Sequence, residues 1–245
     1  MYAPDIQSEN VQYASQDGRQ INAYYSRPVA SGSRGGVVVI MEAFGLNDHI
    51  KDVARRFAEA GYLAIAPDMY TREGSPDEGN MDSVFQTMLS VPDSQAIADL
   101  DGAAAFLRSQ SDSNGKVGAI GFCSGGRYTL MFGCKGANVN ACIDSAGGFI
   151  IQDEHTEQRP VSPIDMIPTL QCPLLALFGE EDANPSPEHA ARLQEELDKN
   201  GKTYGLVMYR NAGHAFFADY RPSYRAAPAQ DMWHRTLQFY GQHLS

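Results

Sequence analysis

The chain has 245 residues, of which 43% are hydrophobic, and this length can bury one substantial core, so a single domain over residues 1–245 is expected. The 30 acidic residues outnumber the 19 basic ones, and the formal net charge of −11 disfavours phosphate backbones and anionic lipid surfaces as partners. No apolar run approaches the roughly 18 residues of a membrane span, and MYAPDIQSENVQ lacks the features of a signal peptide. These observations predict a cytoplasmic protein, a monomer or small homo-oligomer, that binds neither nucleic acid nor membranes.

The four cysteines indicate neither a metal site nor a disulfide framework. They form no CxxC pair, and no His lies at metal-ligand spacing from them. In a chain of this length they are expected to be reduced thiols, and no metal or cofactor is expected. The cysteines are Cys123, Cys134, Cys142 and Cys172.

Two stretches at the beginning of the chain, VQYAS and INAYYSR, flank SQDGRQ, where Asp17-Gly18 predicts the turn of an antiparallel edge hairpin within residues 1–28. Strand-length apolar runs then alternate with segments of helical period. The predicted strands are 36–41, 62–67, 116–122, 141–147, 173–179 and 203–209, and the predicted helices are 49–61, 96–110, 125–133, 187–201 and 231–244. Because these strands are continuously apolar, we expect a doubly wound, mostly parallel α/β sheet with helices on both faces.

Two segments show no clear periodicity, residues 71–93 and residues 148–173. Long irregular stretches inside a compact α/β domain are often lids or walls of a site. Both segments are therefore candidates for covering a site at the edge of the sheet.

The segment KVGAIGFCSGG predicts a strand, a sharp turn and a helix, with the spacing G-x-C-x-G at Gly121, Cys123 and Gly125. This is the pattern of a nucleophile elbow, in which the central residue is strained and side chains two positions away would clash. The glycine spacing selects Cys123 as the central residue. If Ser124 were central, Phe122 would occupy a position that needs a small residue. The alternative is a glycine-rich turn that merely buries a cysteine.

In hydrolases that use such an elbow, an acid and then a His follow the nucleophile along the chain. Asp182 follows the predicted strand LLALF, and His214 follows LVMYR in a Gly-His turn. Because carboxyl ends of parallel strands meet at one edge, both can reach Cys123. The rivals of Asp182 are Glu180 and Glu181. The remaining histidines, for which a surface position is the simpler interpretation, are His49, His155, His189, His234 and His243.

Glu42 and Ala43, which follow an early predicted strand, complete the candidate site. The run GVVVIM leads directly into Glu42, which either lies beside the thiol or is a strand-end charge that faces water. The N–H of Ala43 and the N–H of Ser124 are the expected oxyanion donors, since one such donor follows the nucleophile and the other follows an early strand.

The segments MEAFGLN, GFCSGG, GEED and AGHAFF, in this order and over nearly the whole chain, resemble the dienelactone hydrolases (carboxymethylenebutenolidases) of the α/β-hydrolase fold. The resemblance implies Cys123 as nucleophile, His214 as base, Asp182 as its orienting acid and Glu42 as a carboxylate that helps regulate thiol ionisation. The family's best-known members hold a substrate carboxylate with arginines, one of them four residues after the His. That position is Ala218 here, and Arg221 and Arg225 are the nearby arginines.

The expected activity is hydrolysis of a small-molecule lactone or carboxylic ester. Aromatic residues near the site predict a pocket of Phe44, Phe122 and Phe216, with Phe149 and Phe217 close by; the alternative is that most of them pack in the core. Alternatives for the function are a general carboxylesterase or thioesterase for apolar acyl groups, an inactive hydrolase fold that serves as a binding module, and, less favoured, a redox thiol.

Overall fold

A computed structural model describes residues 5–137 and 139–245 of the protein. The strands are β1 (Ile6–Ala14), β2 (Gln20–Pro28), β3 (Arg34–Ile40), β4 (Leu63–Pro67), β5 (Ser113–Phe122), β6 (Ala141–Ser145), β7 (Leu174–Gly179) and β8 (Tyr204–Tyr209). The helices are α1 (Asp48–Glu59), α2 (Met81–Ser90), α3 (Asp93–Ser109), α4 (Ser124–Lys135), α5 (Pro187–Lys199) and α6 (Ala226–His243), with a 3₁₀ helix at Pro163–Thr169.

In the described residues the strands form one 8-stranded sheet in the order β1-β2-β4-β3-β5-β6-β7-β8. β2 pairs antiparallel with both β1 and β4, and the other neighbours are parallel. The N-terminal hairpin turns at Gly18, whose φ of 84° suits glycine. The predicted α/β-hydrolase fold, with its antiparallel edge hairpin and mostly parallel sheet, is confirmed.

The central strands are buried along most of their length, which explains their continuous apolar sequences. Every residue of β4, β6 and β7 is buried, and β3 is buried from its second residue onward. Helices pack on both faces of the sheet, so an inward-facing and an outward-facing side chain are both shielded from water. Within residues 5–137 and 139–245, no helix is both long enough and apolar enough to cross a membrane.

The two segments predicted to be irregular contain short helices, so the sequence interpretation was wrong in this respect. α2 begins after Asn80, whose side chain accepts hydrogen bonds from the N–H groups of Asp82 and Ser83. Its buried Val84 and Met88 pack against Ala43, and Phe44 and Phe149 complete this cluster. The segment 71–93 therefore forms a wall beside the loop that follows β3.

The register of the parallel strands brings the chain segments of interest to one edge. Ile40 of β3 lies opposite Gly121 of β5, so Glu42 and Cys123 each follow this pair by two residues. Gly179 ends β7 opposite Tyr209, the last residue of β8. The loops that carry Asp182 and His214 therefore leave the sheet at the same edge.

Asp144 is a fully buried carboxyl group on β6, next to the strand that leads into Cys123. One of its oxygens, Oδ1, accepts a hydrogen bond of 2.8 Å from the N–H of Gly147. The other, Oδ2, is buried and has no partner within the described part of the chain. Burial raises the pKa of Asp144 from 3.8 to about 7, and the Gly147 bond only partly opposes this effect.

Replacing Asp144 with Asn is expected to remove a pH dependence of folding stability. Because the pKa rises from 3.8 to about 7 on folding, its contribution is fully present below about pH 4 and is lost as the pH rises through 7. Over this interval the unfolding free energy of the wild type should fall, relative to the variant, by on the order of 4 kcal/mol.

Guanidinium unfolding of both proteins between pH 4 and pH 8 measures this difference. The matched control replaces the exposed Asp153 with Asn, and its difference in unfolding free energy from the wild type should not change with pH. A difference that is also independent of pH for the Asp144 variant would contradict the assigned pKa.

Candidate active site

Cys123 lies at the sharp turn between β5 and α4, with φ 56° and ψ −118°. Its N–H donates to the carbonyl oxygen of Ser145 at 3.1 Å, which ties the turn to β6. The expected steric requirement for glycine is present on both sides: a Cβ at Gly121 would overlap the carbonyl of Gly125, and a Cβ at Gly125 would overlap the carbonyl of Ile40. The elbow therefore tolerates only glycine two residues before and two residues after the cysteine.

The structure brings Cys123, His214 and Asp182 together. Asp182 lies three residues after β7 and is buried, and its Oδ2 is 2.8 Å from His214 Nδ1. Cys123 lies close enough to His214 to contribute to its electrostatic environment. Because Nδ1 is engaged by Asp182, the other ring nitrogen, Nε2, is the one left for the thiol. The half-buried thiol, the imidazole and the buried carboxylate are thus grouped at one edge of the sheet.

The pKa of His214 is raised from 6.5 to about 10. Burial alone lowers it, but the hydrogen bonds and negative charges of Asp182 and Cys123 outweigh burial because they stabilise the imidazolium. The arrangement therefore holds the imidazolium form of His214 beside the thiol.

Burial separates Asp182 from its two rivals. Glu180 and Glu181 are exposed, whereas Asp182 is 5% exposed. Asp182 is also fixed by a hydrogen bond of 2.9 Å from the N–H of Asn184 to its second oxygen, Oδ1. A carboxylate that must hold an imidazole in one orientation needs this kind of fixed position.

The N–H groups of Ser124 and Ala43 are the two predicted oxyanion donors. Ser124 is the first residue of α4, where an N–H has no partner within its own helix. Neither N–H has a hydrogen-bond partner among the described residues. The loop of Ala43 is held in place because the hydroxyl of Tyr70 donates to its carbonyl at 2.9 Å. Both groups remain available to a negatively charged oxygen.

Glu42 is 2% exposed, so the interpretation as a water-facing strand-end charge is wrong. Its Oε2 accepts from the guanidinium of Arg221 at 3.1 Å and from the hydroxyl of Tyr220 at 3.2 Å. Glu42 and Cys123 line the same small cavity, which has a volume of about 10 Å³. The carboxylate is therefore a neighbour of the thiol that an arginine and a tyrosine hold in place.

The two arginines near the site have different surroundings. Arg221 lies on Glu42 and over the ring of Phe44, with its guanidinium carbon 4.5 Å from the ring centroid. Arg225 instead donates to the carbonyl oxygens of Pro222 and Tyr224 in its own loop. Ala218 lines the small cavity beside the thiol. A cation therefore does reach the site, three residues after the position that Ala218 occupies.

The predicted aromatic residues surround the site in two groups. Phe122 and Phe216 are buried and line the small cavity, and Phe122 stacks on Phe217 with ring centroids 5.4 Å apart. Phe44 and Phe149 are half-buried on the other side, where they pack against α2. The first group belongs partly to the core, and the second is partly exposed beside α2.

His49 does not lie on the surface, so the prediction for this residue was wrong. It is the second residue of α1, is 8% exposed and lines the same small cavity as Cys123 and Glu42. Sequence reasoning missed it because its neighbours Asn47 and Asp48 are polar. The helical period offered a clue, since His49 lies on the same face of α1 as Val53.

The other cysteines take no part in this arrangement. All four cysteines are free thiols, and Cys134, Cys142 and Cys172 are buried. In residues 5–137 and 139–245, no group of three or more His, Cys, Asp or Glu side chains is placed to hold a metal ion.

The sequence profile of the Dienelactone hydrolase family matches residues 21–244. The chain belongs to the dienelactone hydrolase family. A relative from Methylorubrum extorquens, named "Putative carboxymethylenebutenolidase", is 38% identical over 95% of this chain and 80% of its own length. A Bradyrhizobium relative, named "Probable 2-oxo-3-(5-oxofuran-2-ylidene)propanoate lactonase", is 32% identical over 93% of this chain and 92% of its own.

Solved structures agree with the sequence comparisons. The crystal structure of a "Putative Dienelactone Hydrolase" from Klebsiella pneumoniae superposes with a TM-score of 0.92 and 34% identity, over 98% of this chain and 100% of that one. The family match and the superposition therefore show both the family and the fold of this hydrolase.

Replacing Asp182 with Asn is expected to lower the pKa of His214 from about 10 toward 6.5, because the carboxylate that stabilises the imidazolium is gone. Hydrolytic activity should fall on the order of 10⁴-fold, since Asn no longer orients the correct imidazole tautomer. Titration of the imidazole resonances by NMR measures the pKa. The exposed Glu181, replaced with Gln, is the control, and an unchanged His214 titration in the Asp182 variant would refute the assigned pairing.

Proposed function

We propose that this member of the family hydrolyses a lactone or carboxylic ester of a small molecule by covalent catalysis, with Cys123 as nucleophile, His214 as base and Asp182 as its orienting acid. The observation that carries the proposal is the position of His214, whose Nδ1 is 2.8 Å from Asp182 Oδ2 and whose charge interacts with Cys123. This arrangement supports an activated nucleophile, in which a base that is oriented by a third group acts on the nucleophile.

In the first half of the reaction, His214 takes the proton of Cys123, and the thiolate attacks the carbonyl carbon of the substrate. A C–S bond forms and the carbonyl electron pair moves onto oxygen. When this pair returns, the bond from the acyl carbon to the alcohol oxygen breaks, and the imidazolium gives its proton to the leaving alkoxide. The product is a thioester on Cys123, and in a lactone the alcohol stays attached to it.

In the second half, His214 removes a proton from water, and the hydroxide attacks the thioester carbon. The C–S bond breaks, the carboxylic acid leaves, and the thiolate regains its proton from His214. Both tetrahedral intermediates carry a negative oxygen that the N–H groups of Ser124 and Ala43 would bind. Each donor of this kind contributes about 3 kcal/mol to transition-state stabilisation.

The names of the relatives support a lactone as the substrate. One is named as a carboxymethylenebutenolidase and another as a lactonase. The half-buried Phe44 and the buried Phe122 and Phe216 are the proposed apolar surfaces of the substrate pocket. A cytoplasmic location and the absence of a cofactor stay predictions from the sequence.

Replacing Cys123 with Ala is expected to lower turnover of an aryl ester or lactone by at least about 10⁴-fold, because the proposed acyl intermediate forms on the sulfur of Cys123. Replacing Ser124 with Ala is the matched control and should leave turnover nearly unchanged, since Ser124 acts through its backbone N–H. Initial rates on a panel of chromogenic esters and lactones, with and without a thiol alkylator, measure both.

Three outcomes of this panel would contradict the proposal in different ways. Full turnover by the Cys123 variant would exclude the thiol as nucleophile. Faster turnover of apolar acyl esters and thioesters than of any lactone would indicate a general esterase. No turnover of any compound by the wild type would indicate a binding module.

Replacing Glu42 with Gln is expected to change the pH dependence of Cys123 alkylation. The carboxylate lines the same cavity as the thiol, and its negative charge opposes thiolate formation. Removing the charge should therefore move the alkylation curve to lower pH. Rates with iodoacetamide between pH 5 and pH 9 measure the curve, and superimposable curves would remove Glu42 from the mechanism.

A further inference from the structure

His49 is a buried titratable group that the proposed reaction does not use. Its ring lies in an aromatic enclosure, edge-on to Phe122 and Phe217 with centroid distances of 6.4 Å and 6.1 Å. Tyr220 is nearer, at 5.2 Å, and is tilted by 47°. A phenylalanine would satisfy these ring contacts equally well, so packing alone does not explain an imidazole at this position.

The charged groups around His49 come from every element packed against it. Glu42 approaches from the loop after β3, Asp52 and Arg56 from α1, and Asp219 from the loop before α6. Its Nδ1 is 3.5 Å from Asp219 Oδ1 and has no hydrogen-bond partner among the described residues. The imidazole therefore lies within ion-pair distance of Asp219 and lines the same small cavity as Glu42, and its Nδ1 forms no hydrogen bond in the described part of the chain.

Glu42 and Asp219 are already paired with arginines. Arg221 donates to Glu42 at 3.1 Å, and Arg56 donates to Asp219 at 2.8 Å. A protonated His49 would thus be a third cation within two existing ion pairs. Burial lowers the pKa of His49 below 6.5, although Glu42 and Asp219 oppose this, so the ring is neutral at neutral pH and gains its charge on acidification.

The position of His49 connects this cluster to the thiol. The ring lines the cavity of about 10 Å³ that it shares with Cys123 and Glu42. It also lines an open groove of about 790 Å³ whose other lining residues include Asp219 and Tyr220. His49 therefore borders both the groove and the small cavity, and protons can reach it from the open groove.

We propose that His49 is a positioning residue for Glu42, and that protonation of His49 weakens the influence of the Glu42 carboxylate on the Cys123 thiol. This inference rests on the proposed role of Cys123. When His49 is neutral, Glu42 interacts with Arg221 and Tyr220 alone, and the negative charge of Glu42 opposes thiolate formation. When His49 is protonated, it attracts the Glu42 carboxylate and offsets its charge, so the Cys123 thiolate persists to lower pH.

The test uses alkylation of Cys123 in the full chain. Iodoacetamide forms a C–S bond with the thiolate and releases iodide, and peptide mass spectrometry separates Cys123 from the three buried cysteines. In His49→Phe, which keeps the ring contacts, the rate should equal that of the wild type at pH 8. At pH 5 it should be about three- to tenfold lower, as expected for the loss of one nearby charge.

Two further variants make the test specific. His49→Gln keeps a polar side chain but cannot titrate, so it should show the same loss at pH 5. His234→Phe, at an exposed position, is the control and should follow the wild type. In the Glu42→Gln background, the effect of His49→Phe should shrink, because a residue that acts through Glu42 needs the carboxylate.

Several results would overturn the inference. These are curves for His49→Phe and His49→Gln that superimpose on the wild type, a rate change of equal size at every pH, a change in His49→Gln alone, or an undiminished effect in the Glu42→Gln background. Alkylation does not depend on ester turnover, so these results differ from a failure of the proposed function, which would appear as full hydrolysis by Cys123→Ala.

Discussion

The backbone at Cys123 is the constraint on which the rest of the site depends. A non-glycine residue at φ 56° and ψ −118° costs about 1–3 kcal/mol, and surrounding structure must hold it there. Its N–H donates to Ser145, and its carbonyl accepts from Gly126, Arg127 and Gly148. This turn projects the thiol beyond the sheet, and it places the N–H of Ser124 at the beginning of α4 with no partner among the described residues.

Two charge systems of opposite arrangement meet at the thiol. On one side an imidazole is held by the buried carboxylate of Asp182, which favours its cationic form. On the other side the buried carboxylate of Glu42 is held by the guanidinium of Arg221. Arg221 offsets part of the negative charge of Glu42, so the proposed nucleophile lies between a cation and a partly neutralised anion.

Much of the fold and the central residues of the site could be predicted from the sequence. Continuous apolar strands specify a covered parallel sheet, and the glycines at 121 and 125 specify the elbow, because both patterns follow from steric and burial requirements within a few residues. The spacing of the loop after the strand favours Asp182 over Glu180 and Glu181, and Asp182 alone of the three is buried.

The features that could not be predicted from the sequence depend on distant partners or on exposed helix faces. α2 has apolar residues at helical spacing, but Met81, Phe85 and Leu89 are exposed, and the helix is short. Arg221 binds a carboxylate 179 residues away along the chain, and no local pattern indicates which cation reaches Glu42. His49 lies in a polar stretch, and the rings that enclose it, those of Phe122, Phe217 and Tyr220, come from distant parts of the chain.

Position 218 holds an alanine, and the arginine that pairs with Glu42 is Arg221. This arrangement has a consequence for the proposed substrate. Arg221 is engaged by a carboxylate that is 2% exposed, so withdrawing it would leave a buried and unpaired charge at a cost of roughly 3–5 kcal/mol. An uncharged ester can enter without disturbing this pair. Under the proposed function, a substrate carboxylate can bind Arg221 only if its own contacts offset the loss to Glu42. The charge of the substrate and the pairing of Glu42 are thus linked through one arginine.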